Sequence, residues 1–325
     1  MDLISILGPT SSGKSSLAIE LAKEFNRLHG QNSAVIVSCD SRQVYKYLDI
    51  GTGKVVGEWL AFPKTIGITT QNVFTSDEIP HFLIDYIDPM QSYGLLDYLK
   101  DFKNLIRLWD ENRYKPKYII LCGGTGLYAK AIFDEYNIEE FDPRYENTIL
   151  ELKLELNQFD ANELQKQLSL FLPNFESLMN ESDRQNPRRL INQIIRYKAK
   201  ENGWILDQKL DYPKFEHKFQ FYLNPSDLRQ RLEIRLNDRF AQGLISEVEN
   251  LLQKNILTIP RLLDLGLEYR QFYFYFQGLQ TFNDYHKNIF HENWQYIKRQ
   301  ITWFKKQNDL IEIKDLSDIL KVLNY

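Results

Sequence analysis

Between positions 8 and 15 the chain reads Gly-Pro-Thr-Ser-Ser-Gly-Lys-Ser, and this octet limits the possible folds more than any other feature. A short apolar run at 3–7 precedes it, and helical spacing through Leu17, Leu21 and Phe25 follows. A glycine-rich turn between a strand and a helix wraps backbone N–H groups around phosphate oxygens, and the helix N-terminus adds its own attraction for anions. In this pattern the lysine supplies a point charge and the last hydroxyl is placed to ligate Mg²⁺. Gly8, Pro9, Thr10, Ser11, Ser12, Gly13, Lys14 and Ser15 are therefore expected to hold a diphosphate or a nucleotide such as ATP, with Mg²⁺ on Ser15.

Further apolar runs at 35–37, 82–84 and 118–121 alternate with helical spacing such as that at 95–109. Alternation of this kind predicts an α/β fold: a P-loop NTPase-like, mostly parallel sheet flanked by helices on both faces. Ligands on such sheets bind beyond the carboxyl ends of the strands. The segments at Gly8, Asp40 and Gly123 all occupy such ends and should converge. From about Asp142 the texture changes to long charged helices, with Leu150, Leu154 and Leu164 as apolar marks. This predicts a helical insertion over 141–214, with the core formed by 1–140 and 215–325. The stretch 54–80, with Gly57, Pro63 and Gly67, reads as a loop or small excursion. Over 226–252, Leu228, Leu232, Leu236 and Phe240 recur every four residues, with Arg231, Arg235 and Arg239 on a neighbouring face.

Composition narrows the class. No apolar run approaches the ~20 residues that cross a bilayer, and the start has no basic segment before its apolar run. Cys39 and Cys122 are the only cysteines and the five histidines show no ligand spacing, so neither a disulfide framework nor a thiolate metal site is expected. A cytoplasmic protein follows. The net charge of −4 does not announce a nucleic-acid binder. Two local clusters do better: Arg184, Arg188, Arg189, Arg196, Lys198 and Lys200 with no acid among them, and Lys298-Arg299 with Lys305-Lys306. Each is either a solvated helix face or a footprint for a phosphate backbone.

The second apolar run ends in Ser38-Cys39-Asp40-Ser41-Arg42-Gln43-Val44-Tyr45, followed by Asp49-Ile50-Gly51-Thr52-Gly53-Lys54. By position alone, Asp40 could be the magnesium-coordinating acid of an ordinary NTPase. The wider pattern, however, resembles the signature of the tRNA dimethylallyltransferases, in which this aspartate is the general base. Other pieces come in that family's order: Pro80-His81-Phe82-Leu83-Ile84-Asp85, Gly123-Gly124-Thr125-Gly126-Leu127-Tyr128, Asn186-Pro187-Arg188-Arg189-Leu190, Arg235-Leu236-Asn237-Asp238-Arg239-Phe240 and Lys298-Arg299-Gln300-Ile301-Thr302-Trp303-Phe304. The resemblance spans about residues 3–306. The chain departs from the pattern at Leu265-Gly266-Leu267-Glu268-Tyr269, where Ile-Gly-Tyr is usual, at Trp294 and Asn192, where arginines are common, and in the length of 54–80.

The resemblance implies transfer of a dimethylallyl group from dimethylallyl diphosphate to the exocyclic amine of the adenine 3′ to the anticodon in tRNA, with Mg²⁺. It implies Asp40 as base, Thr10 near the diphosphate and Arg239 gripping the departing phosphates. Asp40, Ser41, Arg42, Gln43 and Thr125 would contact the flipped base and its neighbours. Arg188, Arg189, Lys298 and Arg299 would grip the tRNA anticodon stem-loop, and the enzyme would act as a monomer. A small-molecule kinase, a prenyltransferase for free adenine nucleotides and a non-catalytic RNA-binding module are the rival readings. A kinase gives no reason for the Asp40 motif or for the closing Lys-Arg-Gln motif.

Overall fold

The computed structural model describes residues 1–61, 72–111, 114–136, 139–206 and 212–325. Strand β1 (Asp2–Leu7) is apolar nearly throughout because it is covered on both sides: Leu3, Ile4 and Ile6 are fully buried. Helix α1 (Lys14–His29) presents Leu17, Leu21, Ala22 and Phe25 to one face of the sheet, against Ile4, Ile6, Ile36 and Ile120. The alternate residues Leu3, Val35, Val37, Ile119 and Leu121 are equally buried, so the opposite face is covered too.

The remaining elements before the helical unit are β2 (Ala34–Ser38), β3 (Glu58–Ala61), β4 (Asn72–Ser76), β5 (Ile79–Phe82), α2 (Leu95–Glu111), β6 (Tyr118–Gly123) and α3 (Gly126–Phe133). The described strands form one eight-stranded sheet, ordered β3-β4-β5-β2-β6-β1 and completed by β7 (Lys218–Leu223) and β8 (Ile311–Ile313). Pairing from β5 across to β8 is parallel, and only the β3–β4–β5 edge is antiparallel. The expected mostly parallel sheet is present.

At this edge one expectation is narrowed and another is corrected. Of the two readings of 54–80, a loop or a small excursion, the described residues fit the second: they contribute β3, β4 and the start of β5 as an antiparallel addition to the sheet, while residues 62–71, Pro63 and Gly67 among them, lie outside the described residues. The strand expected at 82–84 ends instead at Phe82, since Leu83 has φ 55° and leaves the extended region.

The chain divides into two units, Met1–Glu135 with Tyr212–Tyr325, and Tyr136–Asp211. The second holds α4 (Glu146–Leu156), α5 (Ala161–Phe171), α6 (Phe175–Leu178), α7 (Glu181–Arg184) and α8 (Pro187–Glu201). Its core joins Leu152 and Leu156 to Leu164, Leu168, Leu190 and Ile194. Of the three marks read from the sequence, Leu164 packs in this core, while Leu150 and Leu154 are exposed. The stripe that packs is Ile149, Leu152 and Leu156, spaced by three and four residues, while Leu150 and Leu154 lie on the other side of α4. Asn186 caps α8 with its side chain and Pro187 opens the first turn, where a missing N–H costs nothing.

The first unit continues with α9 (Leu228–Ala241), α10 (Leu244–Gln253), α11 (Ile259–Leu265), α12 (Leu267–Phe276), α13 (Phe282–Phe304) and, after β8, α14 (Leu316–Val322). Gly243, at φ 98°, breaks the single helical run read at 226–252 into α9 and α10. Leu228, Leu232 and Leu236 pack with Phe272, Tyr285, Ile289 and Ile297, and against Val44, Tyr45 and Leu48 from the segment after β2. That cluster holds the α9–α13 helices beside the residue-40 segment. No helix among the described residues is long and apolar enough to cross a membrane.

Candidate active site

The segments at Gly8, Asp40 and Gly123 do converge, on a cavity of about 950 Å³ at the carboxyl ends of β1, β2 and β6. The turn from β1 to α1 is fixed by close approach. A β-carbon on Gly8 would lie 2.5 Å from the Leu223 carbonyl oxygen, and Gly13 sits at φ 92°, left-handed backbone that favours glycine. The buried Lys14 donates from Nζ to the Pro9 carbonyl at 3.2 Å. Burial lowers its pKa, as does the Arg235 charge, while Cys122 and Asp40 act in the opposite direction. The hydroxyls of Ser11 and Ser12 are buried without a protein partner, so the turn holds polar atoms that only a ligand or solvent would satisfy.

Asp40 uses one carboxylate oxygen locally. Its Oδ1 accepts from the N–H of Arg42 at 2.9 Å and of Gln43 at 3.3 Å. Its Oδ2 faces Gly124: a β-carbon built there would be 3.7 Å from Oδ2 and 3.8 Å from Lys14 Nζ. The carboxylate and the lysine of the cradle thus both approach Gly124, where Gln300 Nε2 stands nearest, 2.8 Å from such a β-carbon. Thr125 joins the two loops, its Oγ1 accepting from the Ser41 N–H at 3.1 Å while its own N–H donates to the Cys39 carbonyl. Gln43 turns its amide away, donating to the Gly53 carbonyl at 3.1 Å. Cys39 and Cys122, distant in sequence, end neighbouring strands as free, buried thiols. Burial pushes the Cys122 thiol up to about 11, against the pull of Lys14 and of a hydrogen bond with Ser15.

The facing wall is built from side chains. Arg235 Nη1 donates to Thr10 Oγ1 at 2.9 Å. Its pKa is lowered to about 9, first by burial and then by the Arg239 charge. Arg239, one turn further on, is buried and bonded through Nη1 to Glu268 Oε1, which also accepts from Asn293 Nδ2. On α13, Gln300 accepts at Oε1 from the Thr10 N–H and donates from Nε2 to the Gly124 carbonyl, both at 3.0 Å, bracing the cradle against the Gly124 loop. Tyr296, one turn before it, also lines the cavity. Burial and then the Asp40 charge push its phenol up to about 12.

Of the residues expected from sequence, Thr10, Ser11, Gly13, Lys14, Ser15, Asp40, Ser41, Arg42, Gln43, Arg239 and Arg299 line this cavity. Lys298 is exposed on α13 and is not among the lining residues. Arg188 and Arg189 open α8 in the second unit, where Arg189 pairs with Asp183. Arg235, Gln300, Glu268 and Tyr296 line the same cavity with no role expected from the sequence. The four-residue spacing of the arginines and the closing motif contained the signal, but not which member reaches Thr10. Among the described residues no cluster of three or more His, Cys, Asp or Glu could hold a metal by itself. The Ser15 hydroxyl, which lines the cavity, offers a hard oxygen ligand that suits Mg²⁺ when phosphate oxygens and water complete the shell.

The sequence profile of the family described as IPP transferase matches residues 43–307. Over 337 aligned residues, covering 100% of this chain and 98% of the relative, the chain is 30% identical to tRNA dimethylallyltransferase 1 of Azobacteroides pseudotrichonymphae. It is 31% identical to tRNA dimethylallyltransferase 2 of Phocaeicola vulgatus over 94% of this chain and 88% of that one. Among solved structures, the full-length tRNA isopentenylpyrophosphate transferase of Bacillus halodurans superposes with a TM-score of 0.61 at 25% identity, over 99% of this chain and 94% of that one. The chain belongs to the IPP transferase family.

Proposed function

We propose that the protein is a tRNA dimethylallyltransferase, moving a dimethylallyl group from dimethylallyl diphosphate to the exocyclic amine of the adenine 3′ to the anticodon and releasing diphosphate. The observation that carries this reading is that one cavity is lined by Asp40, by Lys14 of the phosphate cradle and by Arg235 and Arg239 of the facing wall. A diphosphate seated at residues 8–15 would put the allylic carbon in the cavity that Asp40 also lines.

The C–O bond to diphosphate breaks as the amine nitrogen bonds to the allylic carbon. Negative charge grows on the leaving oxygens, where Lys14 and Arg235 stand, so both act where charge develops. The amine proton passes to Asp40 Oδ2; the two N–H bonds on Oδ1 orient the carboxylate for that transfer. Base assistance of this kind is worth roughly 10²–10⁴ in rate. Arg235, bonded to Thr10, takes the nearer place on the phosphates, and Arg239 stands behind it with its charge offset by Glu268. The Ser15 hydroxyl would hold Mg²⁺, which would supply further neutralisation of charge on the leaving group.

The target adenine must leave its stack, at a cost of a few kcal/mol. Ser41, Arg42 and Thr125 form the rim it would meet, with Arg299 on the facing helix. Arg188 and Arg189 of the helical unit and Lys298 would hold the stem-loop backbone. We place this monomeric enzyme in the cytoplasm, with its tRNA substrate. Incubation with undermodified tRNA, labelled dimethylallyl diphosphate and Mg²⁺, followed by nucleoside analysis, should yield labelled N6-dimethylallyladenosine. Labelled phosphate transfer from ATP without prenylation would favour a kinase and reject the reading.

A further inference from the structure

Glu247 on α10 is a partly buried carboxylate far from the cradle in sequence, and it has an unusual set of partners. Its Oε2 accepts from the backbone N–H of Asp49 at 2.9 Å and of Ile50 at 2.6 Å. Its Oε1 accepts from the N–H of Gly51 at 3.0 Å and from the Tyr269 hydroxyl at 3.3 Å. Three successive N–H groups converging on one anion make a nest of the kind that elsewhere binds phosphate. Here the chain fills it from within. Burial raises the carboxyl pKa against the pull of those same three bonds, the balance expected of a carboxylate held mainly by backbone dipoles.

What the nest holds in place is the edge of the cavity. Tyr269 leaves no space at Gly51, where a β-carbon would lie 2.3 Å from its hydroxyl oxygen. Lys54 closes the far end of the loop, bonding Asp49 and Asp85 at 2.6 Å each. Between these anchors Gly53 lies against the arginines: a β-carbon there would be 2.0 Å from Arg235 Nη2 and 2.4 Å from Arg239 Nη2. The 49–53 backbone therefore limits where both guanidinium groups can sit, and Arg235 meets Thr10 from that position.

We propose that Glu247 is a positioning residue for the diphosphate site: by filling the 49–51 nest it keeps Gly53 against Arg235 and Arg239, and so holds Arg235 at the cradle. It also removes a second anion site that would compete for phosphate beside the same arginines. This inference rests on the prenyl-transfer reading given above.

The test compares the full-length protein with Glu247→Ala and Glu247→Gln, measuring kcat and KM separately for dimethylallyl diphosphate and tRNA. Glu247→Ala should lose donor kcat/KM on the order of 10²-fold, as expected when a binding group shifts by about 1 Å, with KM for tRNA unchanged. Sodium formate, small enough to enter the nest, should restore part of that loss and leave the wild type unaffected. Glu247→Gln, which keeps one acceptor oxygen, should fall between the two and show faster amide hydrogen exchange at residues 49–51. Wild-type donor kinetics in Glu247→Ala would overturn the proposal, as would equal losses towards both substrates without formate rescue. If Glu247→Ala does not fold, Glu247→Gln decides alone: wild-type donor kinetics with unchanged amide exchange overturn it. A wild-type protein that transfers no prenyl group would instead reject the functional reading; amide exchange at 49–51 and binding of inorganic diphosphate would still judge the role of Glu247.

Discussion

The two walls of the cavity are built from different material. One is backbone: the turn at 8–13, the 38–40 strand end and the 123–125 loop, packed so closely that a β-carbon on Gly123 would lie 2.4 Å from the Cys39 carbonyl oxygen. The other is side chain: Arg235, Arg239, Glu268, Asn293, Tyr296 and Gln300, projected from helices, with Glu268 joining Arg239 to Asn293 while Arg235 and Gln300 bond across to Thr10 and Gly124. A wall of backbone amides is already oriented before a ligand arrives and loses little entropy on binding it. A wall of long side chains must be held by its neighbours, so its precision depends on residues that touch no substrate.

This contrast can be attacked at several points, in order of expected effect. His81 sits in β5 of the sheet that carries the backbone wall, buried, with Nδ1 bonded to the Ile79 carbonyl. Burial lowers its pKa from an ordinary 6.5 to about 4. The unfolded chain therefore binds a proton more readily than the fold between those values. The stability contributed by the neutral ring is present in full above pH 6.5 and is lost as pH falls towards 4, by about 3 kcal/mol at most. Urea unfolding of wild type and His81→Gln at pH 7 and pH 4.5 should show the wild type losing more stability on acidification; parallel losses would remove the effect. Arg235→Ala should next cost on the order of 10²-fold in donor kcat/KM with the fold intact. Arg239→Ala should instead strand the buried Glu268 and register first as lost thermal stability. Equal kinetic losses from both would mean that the wall does not distinguish its arginines. Gly53→Ala is the smallest change. At φ 61° an added methyl is strained and must displace the two guanidinium tips. It should lower donor kcat/KM by about tenfold, and unchanged kinetics would mean that the loop does not set the arginine positions.

The same division explains what could be read from the sequence. Backbone geometry leaves glycines at fixed offsets, so Gly8, Gly13, Gly123 and Gly124 pointed to the cradle, and the apolar runs at β1, β2 and β6 pointed to the sheet. The side-chain wall depends on partners such as Thr10 and Gln300, 290 positions apart, and no local spacing reports that meeting. Arg235 and Arg239 are equivalent in a helical repeat and differ in what the rest of the fold sets against them, Thr10 of the β1–α1 turn for the first and Glu268 of α12 for the second. The β3–β4 addition went unread because a four-residue strand carries too short an alternation to stand out from its glycine- and proline-marked surroundings. In α4, the leucines at 150, 152, 154 and 156 gave no sign of which pair packs. That choice belongs to the helical phase set by Ile149 and the partner helices.

The central claim is that a diphosphate cradle and a proton-accepting carboxylate face one reacting carbon. Single-turnover transfer from labelled dimethylallyl diphosphate to undermodified tRNA, with donor binding measured calorimetrically on the same preparations, tests it for wild type and Asp40→Asn. The account predicts that Asp40→Asn binds the donor as the wild type does and transfers it roughly 10²–10⁴ times more slowly. Transfer by Asp40→Asn at the wild-type rate would contradict it.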